Sequence, residues 1–445
     1  MPFDSQPALK GELLELRPLQ PEDFDALFAV AADPLIWEQH PARDRHQEEQ
    51  FRIFFREALE SGGALAAIDT KDGRIIGSSR FHGYDKDGSE IEIGWTFLAR
   101  SHWGGRYNGE MKRLMLRHAF QFVDRVVFLV GPGNLRSQRA VERIGGVRVG
   151  SRADGSGRES LVYQITAAEF QQKEEIERPI RIGGMNSAAL ADAADANFVV
   201  HASWAAGRLE GMSVRADEEL VLVDSWLPSD TFNVICRARL GPATAMRRIG
   251  EAVSHERPFS WWVGPADRPR DLAELLARHG LEPAESELAM AAELASIEPC
   301  DLSPQGLQIR RVQTVEHLRD FARLAASGPS DPAVRAFYER AAALLLSPES
   351  PQWLYVGHLG QEPVGTAELT VSDGVVGLYG VLTAPQQRRR GFGTALTLRA
   401  LLDARAAGHR IAVLQASREG ARMYSRLGFA PFGVITEFKR PGGAA

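Results

Sequence analysis

One stretch constrains this chain more than any other. A β-branched and aromatic run, LYGVLT, ends at Pro385; a glycine-containing loop follows, and an amphipathic helix pattern starts near Thr394. A strand, a glycine loop and a helix N-terminus make an anion site. Backbone N–H groups from Arg388 through Arg389, Arg390, Gly391, Phe392 and Gly393 to Thr394 would point at the anion, and the helix dipole favours a phosphate there. Gly391 and Gly393 let the backbone approach closely, with no Cβ in the way. No Lys-Ser/Thr pair follows, so this is not a Walker loop; Leu396 stands where a dinucleotide fingerprint needs its third glycine.

The same alternation recurs upstream. LELRPLQPEDFDALFAVAAD, from Leu14, reads as strand, turn and amphipathic helix; strand-like ALAAIDT, IIGSSRFHG and IEIGWTFL, helix-like NGEMKRLMLRHAFQFV and strand-like RVVFLVGPG come next. This order indicates an α/β or α+β domain. Residues 171–179, QQKEEIERP, read as a solvated linker. After it, IRI before AALADAADANFVVHASW and LQIRRV before VEHLRDFARLAAS echo the opening LELRPL and its helix: three divergent copies of one module, or a chance likeness of strand-plus-helix starts. With 445 residues at roughly 150 per domain, about three domains are expected: 1–175, 180–300 and 301–445.

Downstream of the loop come a strand, Ile411 to Leu414, a short helix carrying Tyr424, the turn Leu427-Gly428-Phe429 and a last strand. Together the two stretches resemble the GNAT (Gcn5-related N-acetyltransferase) superfamily of acyl-CoA-dependent N-acyltransferases. Arg388-x-x-Gly391-x-Gly393 is similar to that family's pyrophosphate loop, and Tyr424 before Gly428-Phe429 to its Y-x-x-x-G-F ending. Ser417-x-x-Gly420 departs from the family's N-x-x-A. The resemblance implies tandem folds with mixed, mostly antiparallel sheets flanked by helices, and acetyl-CoA as acyl donor. An amine must lose a proton before it attacks the thioester, the oxyanion must be stabilised and the thiolate protonated. Glu368 is the implied base, with an exposed strand carboxylate as the alternative. Tyr424 is the implied acid, with a packing aromatic as the alternative. Backbone N–H groups around Leu382 and Thr383, on a splayed strand end, would polarise the carbonyl.

Residues 8–170 resemble the RimJ/RimL-like branch of the same superfamily. LRPLQPEDF, Ile93-Gly94-Trp95, Trp103-Gly104 with Glu110, Asn134-x-x-Ser137-x-x-Ala140 and Ile144-Gly145 carry that likeness. It implies Asn134 as a contact to the cofactor arm, Ser137 as acid and Glu92 as base, while in the C-terminal copy the resemblance sets Ser417 in the place of the cofactor-arm contact. The loop Gly104, Gly105, Arg106, Asn108 would hold the pyrophosphate; aligning on Glu110 puts Arg106 where a glycine belongs, so that either its side chain obstructs the approach or Gly104, Gly105 and the guanidinium compensate. Residues 180–300 lack any such loop; strand, helix and His279-Gly280-Leu281 near their end resemble a degenerate GNAT half. Trp261 and Trp262 there are either core or the lining of a groove.

What remains is mostly exclusion. Lys plus Arg (52) against Asp plus Glu (58) leaves a net charge of −6, so nucleic acid is not an expected partner. Cys236 and Cys300 form no CxxC pair, His102 and His118 lack partners at metal spacing, and no metal is expected. No apolar run approaches the roughly 20 residues that span a bilayer, and a cytoplasmic protein, monomer or homodimer, is expected. The expected activity is transfer of acetyl from acetyl-CoA to a primary amine, on a small molecule or a protein N-terminus, at one or two sites. The rival is an acyl-CoA-binding sensor or scaffold with inactive modules.

Overall fold

The computed structural model describes residues 3–104, 106–153, 159–254, 257–298, 304–326 and 331–441; Gly105 and Cys300 lie outside them. The chain divides into two compact units, Met1–Glu174 and Glu175–Ala445.

In the first unit the strands are β1 (Leu9–Lys10), β2 (Leu14–Pro18), β3 (Ala64–Asp69), β4 (Ile75–Asp85), β5 (Glu90–Leu98), β6 (Arg125–Val130), β7 (Val147–Ala153) and β8 (Glu159–Thr166). They form one sheet in the order β1-β2-β3-β4-β5-β6-β8-β7, antiparallel except at β5–β6. Helices α1 (Phe24–Ala31), α2 (Pro34–Trp37) and α3 (Glu48–Glu60) cover one face, where Leu27, Phe51, Phe54 and Phe55 meet Ala64, Ala66 and Phe97. The other face is covered by α4 (Arg106–Ala119) and α5 (Leu135–Arg143), with Met111, Leu114, Met115 and Val141 packed on Ile91 and Ile93. Period-two alternation along β5 sends Ile91 and Ile93 to α4. Helix α6 (Ala167–Glu177) corrects the expectation of a linker: residues 171–177 are helical, because Gln, Lys and Glu are good helix formers, and the helix stops before Pro179.

Two irregularities open this sheet. β5 and β6 are parallel neighbours only from Glu90 to Glu92, and beyond that β5 is held by β4 alone. Between the pairs Ser78↔Phe97 and Arg80↔Gly94, β5 carries an extra residue, with Trp95 at φ +51.

The second unit opens with the short β9 (Arg181–Ile182) and β10 (Met185–Asn186) and the alanine-rich α7 (Ser187–Ser203). Then come β11 (Ser213–Ala216), β12 (Val221–Asp224), β13 (Val234–Cys236), α8 (Ala245–Ala252), β14 (Ser260–Val263), α9 (Leu272–Arg278) and β15 (Glu282–Glu293). The rest is β16 (Leu307–Arg311), α10 (Val315–Ala325), α11 (Asp331–Leu345), β17 (Gln352–Leu359), β18 (Glu362–Val371), β19 (Val376–Thr383), α12 (Phe392–Ala406), β20 (Ile411–Ala416), α13 (Ala421–Arg426) and β21 (Ala430–Lys439). β11 to β21 make one sheet in the order β11-β12-β13-β14-β21-β15-β20-β19-β18-β17-β16. Its centre is an exchange: β15 inserts between β20 and β21, while β21 pairs with β14. Residues 180–300 and 301–445 thus share a sheet, each giving its last long strand to the other's side.

β19 repeats the geometry of β5. It runs parallel to β20 only through Leu378↔Leu414, and a bulge between Thr366↔Leu382 and Glu368↔Tyr379 puts Gly380 at φ +54. Leu396, Leu398 and Leu401 of α12 pack on Ala367, Leu369 and Leu378; α7 covers the opposite face, with Leu190 and Ala191 packed against Val375 and Val413.

Candidate active sites

In the first unit a cleft of about 380 Å³ opens where β5 leaves β6, between the start of α4 and the start of α5. Thr96 and Leu98 line it from β5, Gly104, Asn108 and Gly109 from the loop and first turn of α4, and Asn134, Ser137 and Ala140 from α5. Sequence-named Gly104, Asn108, Asn134 and Ser137 are therefore brought together. Asn134 caps α5: its Oδ1 accepts from the Ser137 N–H at 3.1 Å, which orients Ser137 toward the cleft. Arg136 and Arg143 also line it and supply positive charge that the motifs had not pointed to; the Arg136 guanidinium lies 4.3 Å over the Trp103 ring.

Of the two readings of Arg106, an obstructing side chain or a loop that accommodates it, the geometry favours the second. Arg106 is exposed, starts α4 and does not line the cleft. The left-handed turn falls on Gly104, at φ +103, so the chain has already turned when Arg106 begins the helix. Glu110 holds the far side: its carboxylate accepts from the N–H groups of Glu12 and Leu13 at 2.6 and 2.8 Å, which ties the β1–β2 turn to α4.

Glu92 lies at the last residue of the β5–β6 pairing, on the sheet face away from Ile91 and Ile93, and does not line the cleft. Burial pushes its carboxyl up to about 7, against the pull of Arg152 and Arg80. Such a carboxyl takes and gives a proton near neutral pH.

In the second unit the loop that follows β19 turns at Arg389 (φ +59) and again at Gly391 (φ +83), the N-cap of α12. Among the described residues no side chain caps this helix, so its first-turn N–H groups stay open to an anion. Phe392 anchors the turn, buried against Leu307, Val364 and Ala395. A Cβ on Gly393 would meet Thr383 Oγ1 at 3.4 Å, an ordinary contact, so this turn lies against the end of β19. Arg388, Arg389 and Arg390 are exposed beside it, with Leu382 exposed and Thr383 and Thr394 half-buried.

Tyr424, on α13, is buried in the core under α12, its ring 5.9 Å from that of Phe429. Burial, with the Glu287 carboxylate of β15 adding to it, pushes the phenol up to about 12 and keeps it protonated. Ser417 stands in the turn before α13, whose N-cap is Gly420: its Oγ accepts from the Gly420 N–H at 3.2 Å.

Glu368 is buried, which removes the reading of an exposed strand carboxylate. It points away from α12, because Ala367 and Leu369 point toward it. Its Oε1 accepts from Gln352 Nε2 at 3.0 Å and lies 3.2 Å from His201 Nδ1. The His201 ring stacks on Tyr379 at 3.8 Å, and Tyr379 donates to Asn197 Oδ1 at 2.8 Å. Tyr424 and Glu368 thus stand on opposite faces of the sheet. Asn197, His201, Gln352 and Tyr379 belong to no motif; the one sequence signal was Asn197 and His201, four residues apart in an otherwise alanine-rich helix. Trp261 is fully buried, whereas Trp262 lines a small cavity with Phe198, Tyr379 and Asp195.

Comparison with known proteins bears on both units. Residues 14–147 match the family described as Acetyltransferase (GNAT) domain, and residues 314–429 that described as Acetyltransferase (GNAT) family. Similar solved structures include a GCN5-related N-acetyltransferase from Kribbella flavida (21% identity over 56% of this chain and 96% of that one, TM-score 0.43). Others are a GCN5-related N-acetyltransferase from Brucella melitensis (21%, 38% and 83%, TM-score 0.34) and the GNAT-family acetyltransferase from Bacillus anthracis (22%, 36% and 98%, TM-score 0.31). No protein of curated function matches the chain. No helix among the described residues is long and apolar enough to cross a membrane. With one family match in each compact unit, the chain is a tandem GNAT-family N-acetyltransferase.

Proposed function

We propose that the chain moves acetyl from acetyl-CoA to a primary amine at two separate sites, one in each GNAT domain. The observation that carries this reading is the repeated backbone: a bulged strand that leaves its parallel neighbour and then turns, left-handed, into an uncapped or glycine-led helix. The opening between the strands admits a pantetheine arm, and the helix start holds the pyrophosphate. Residues of both domains fit that group. In the first unit Gly104, Asn108, Asn134 and Ser137 border the cleft, with Arg136 and Arg143 for the phosphates. In the second, Gly391, Gly393 and Thr394 present backbone N–H groups with Arg388, Arg389 and Arg390 at hand.

Acetyl-CoA, when bound, supplies an activated acyl thioester. In the first unit Glu92 takes the proton of the attacking amine, directly or through water, and the Ser137 hydroxyl donates at the other side. In the second, Glu368 with His201 accepts the proton and the Tyr424 phenol donates. Residues 180–300 act as a degenerate half whose α7 and β15 complete the C-terminal domain. The acceptor is a small amino compound or a protein N-terminus.

The competing reading, acyl-CoA binding without turnover, is separated by measuring release of free CoA with a panel of amines. The enzyme reading expects amine-dependent release that falls in Tyr424→Phe and in Glu92→Gln. Saturable acetyl-CoA binding with no amine-stimulated release would favour the sensor.

A further inference from the structure

The strand pair that carries the C-terminal site closes onto a cavity. β19 and β20 stay together through Leu378↔Leu414, whose side chains pack toward α12. Tyr379 and Gln415, the next residue on each strand, therefore point to the opposite face, under α7. There they line a cavity of about 30 Å³ with Ala194 and Phe198 of α7, Trp262 of β14 and Val413 of β20. This is room for roughly two water-sized groups. The wall is mostly apolar, and its polar groups are engaged or held neutral. Asp195 takes the Arg239 guanidinium at 2.7 Å, the Tyr379 hydroxyl donates to Asn197 at 2.8 Å, and burial keeps the Cys236 thiol protonated. Among the residues that line the cavity no carboxylate is left unpaired for an ammonium, whereas hydrocarbon gains by leaving water there. Neither Glu368 nor His201 lines it, although the His201 ring stacks on Tyr379 at 3.8 Å. The place of an amine beside Glu368 is thus separate from the cavity.

We propose that this cavity takes the hydrocarbon tail of an acyl group longer than acetyl, so that the C-terminal domain selects a short-chain acyl-CoA, about two carbons longer, as its donor. This rests on the reading of the β19–β20 fork as an acyl-CoA site and goes beyond acetyl as the group moved there. A pantetheine arm lying between the splayed strands brings its thioester to the backbone N–H groups around Leu382 and Thr383. The closed end of the fork, Leu378 and Leu414, lies behind that point. A tail that continues from the carbonyl toward the closed end meets Tyr379 and Gln415 first, and then the space under α7. In the transfer the tail leaves with its carbonyl: the N–C bond forms and the C–S bond breaks, the amine proton goes to Glu368 with His201, and the sulfur takes the proton of Tyr424. Because α7 and β14 belong to residues 180–300, the degenerate half sets the chain length that the other half uses.

The test needs no acceptor: acetyl-, butyryl- and hexanoyl-CoA are titrated into the full chain by calorimetry, and affinity is read at the class of site that disappears in Gly391→Arg. Butyryl-CoA is expected to bind that site about tenfold tighter than acetyl-CoA, at roughly fourfold for each methylene buried, with no further gain for hexanoyl-CoA. Ala194→Leu, which fills the cavity from α7, should bring butyryl-CoA back to the affinity of acetyl-CoA. Val413→Ala, which enlarges the cavity from the strand side, should extend the gain to hexanoyl-CoA, and it decides the question if Ala194→Leu does not fold. Equal affinities for acetyl- and butyryl-CoA, or a preference that neither variant moves, would overturn the cavity as an acyl pocket and leave the fork reading in place. If no class of acyl-CoA site is lost in Gly391→Arg, the fork reading falls and this inference with it.

Discussion

The two GNAT domains keep one backbone and change the side chains on it. Trp95 at φ +51 and Gly380 at φ +54 occupy the same bulge; Gly104 and Arg389 make the same left-handed turn before the helix. Around that frame the N-terminal domain has an open cleft with Asn134, Ser137 and a buried Lys112, whereas the C-terminal domain has a glycine N-cap, three exposed arginines and a buried Tyr424. What has been retained is the splayed strand pair and the helix start, which no single side chain supplies. What has diverged is the source of protons and charge. A residue's role in one domain therefore does not transfer to the other by motif position alone.

The largest expected effect breaks the comparison on one side. Gly391→Arg puts a side chain at φ +83 and into the phosphate approach, a backbone cost of about 1–2 kcal/mol before any clash. Acetyl-CoA affinity at the C-terminal site should fall by roughly two orders of magnitude or more, read by calorimetry, with the N-terminal site unchanged. Next come the proton carriers. Tyr424→Phe should lower turnover at the C-terminal site by about 10²-fold or more with little change in acetyl-CoA affinity, and a parallel loss of affinity would mark Tyr424 as packing instead.

The pH profiles should differ as well. Burial raises the Glu92 carboxyl to about 7, so its basic form, and with it N-terminal-site kcat/KM, is expected to grow as pH rises through that value. Glu92→Gln should lower the rate and flatten this limb; an unchanged limb would remove Glu92 as base. The smallest effect is conformational. Gly380→Ala should destabilise the second unit by about 1 kcal/mol in denaturant unfolding, because its Cβ has space, 3.8 Å from Glu368 Cβ, but its φ is left-handed.

Much of this was legible beforehand, and for physical reasons. Gly391, at φ +83, marks a turn that a Cβ would strain, and Asn134-x-x-Ser137 is both a helix cap and a cleft wall, so short-range pattern and function coincide there. Long-range geometry was not legible. Arg106 reads as an obstruction until Gly104 is seen to have made the turn first. Lys112 hides beside Arg113 in an amphipathic helix, where only the packing tells which of the two is buried. His201 and Asn197 reach Glu368 and Tyr379 across more than 160 residues of chain, and the exchange of β15 and β21 leaves no local mark at all.

The central claim, two acyl-donor sites on one chain, is tested most directly by the stoichiometry of acetyl-CoA binding to the full-length protein in isothermal titration calorimetry. The account predicts two sites per chain, one of them lost in Gly391→Arg. A single site that disappears entirely in that variant would contradict it, leaving the N-terminal cleft without its donor.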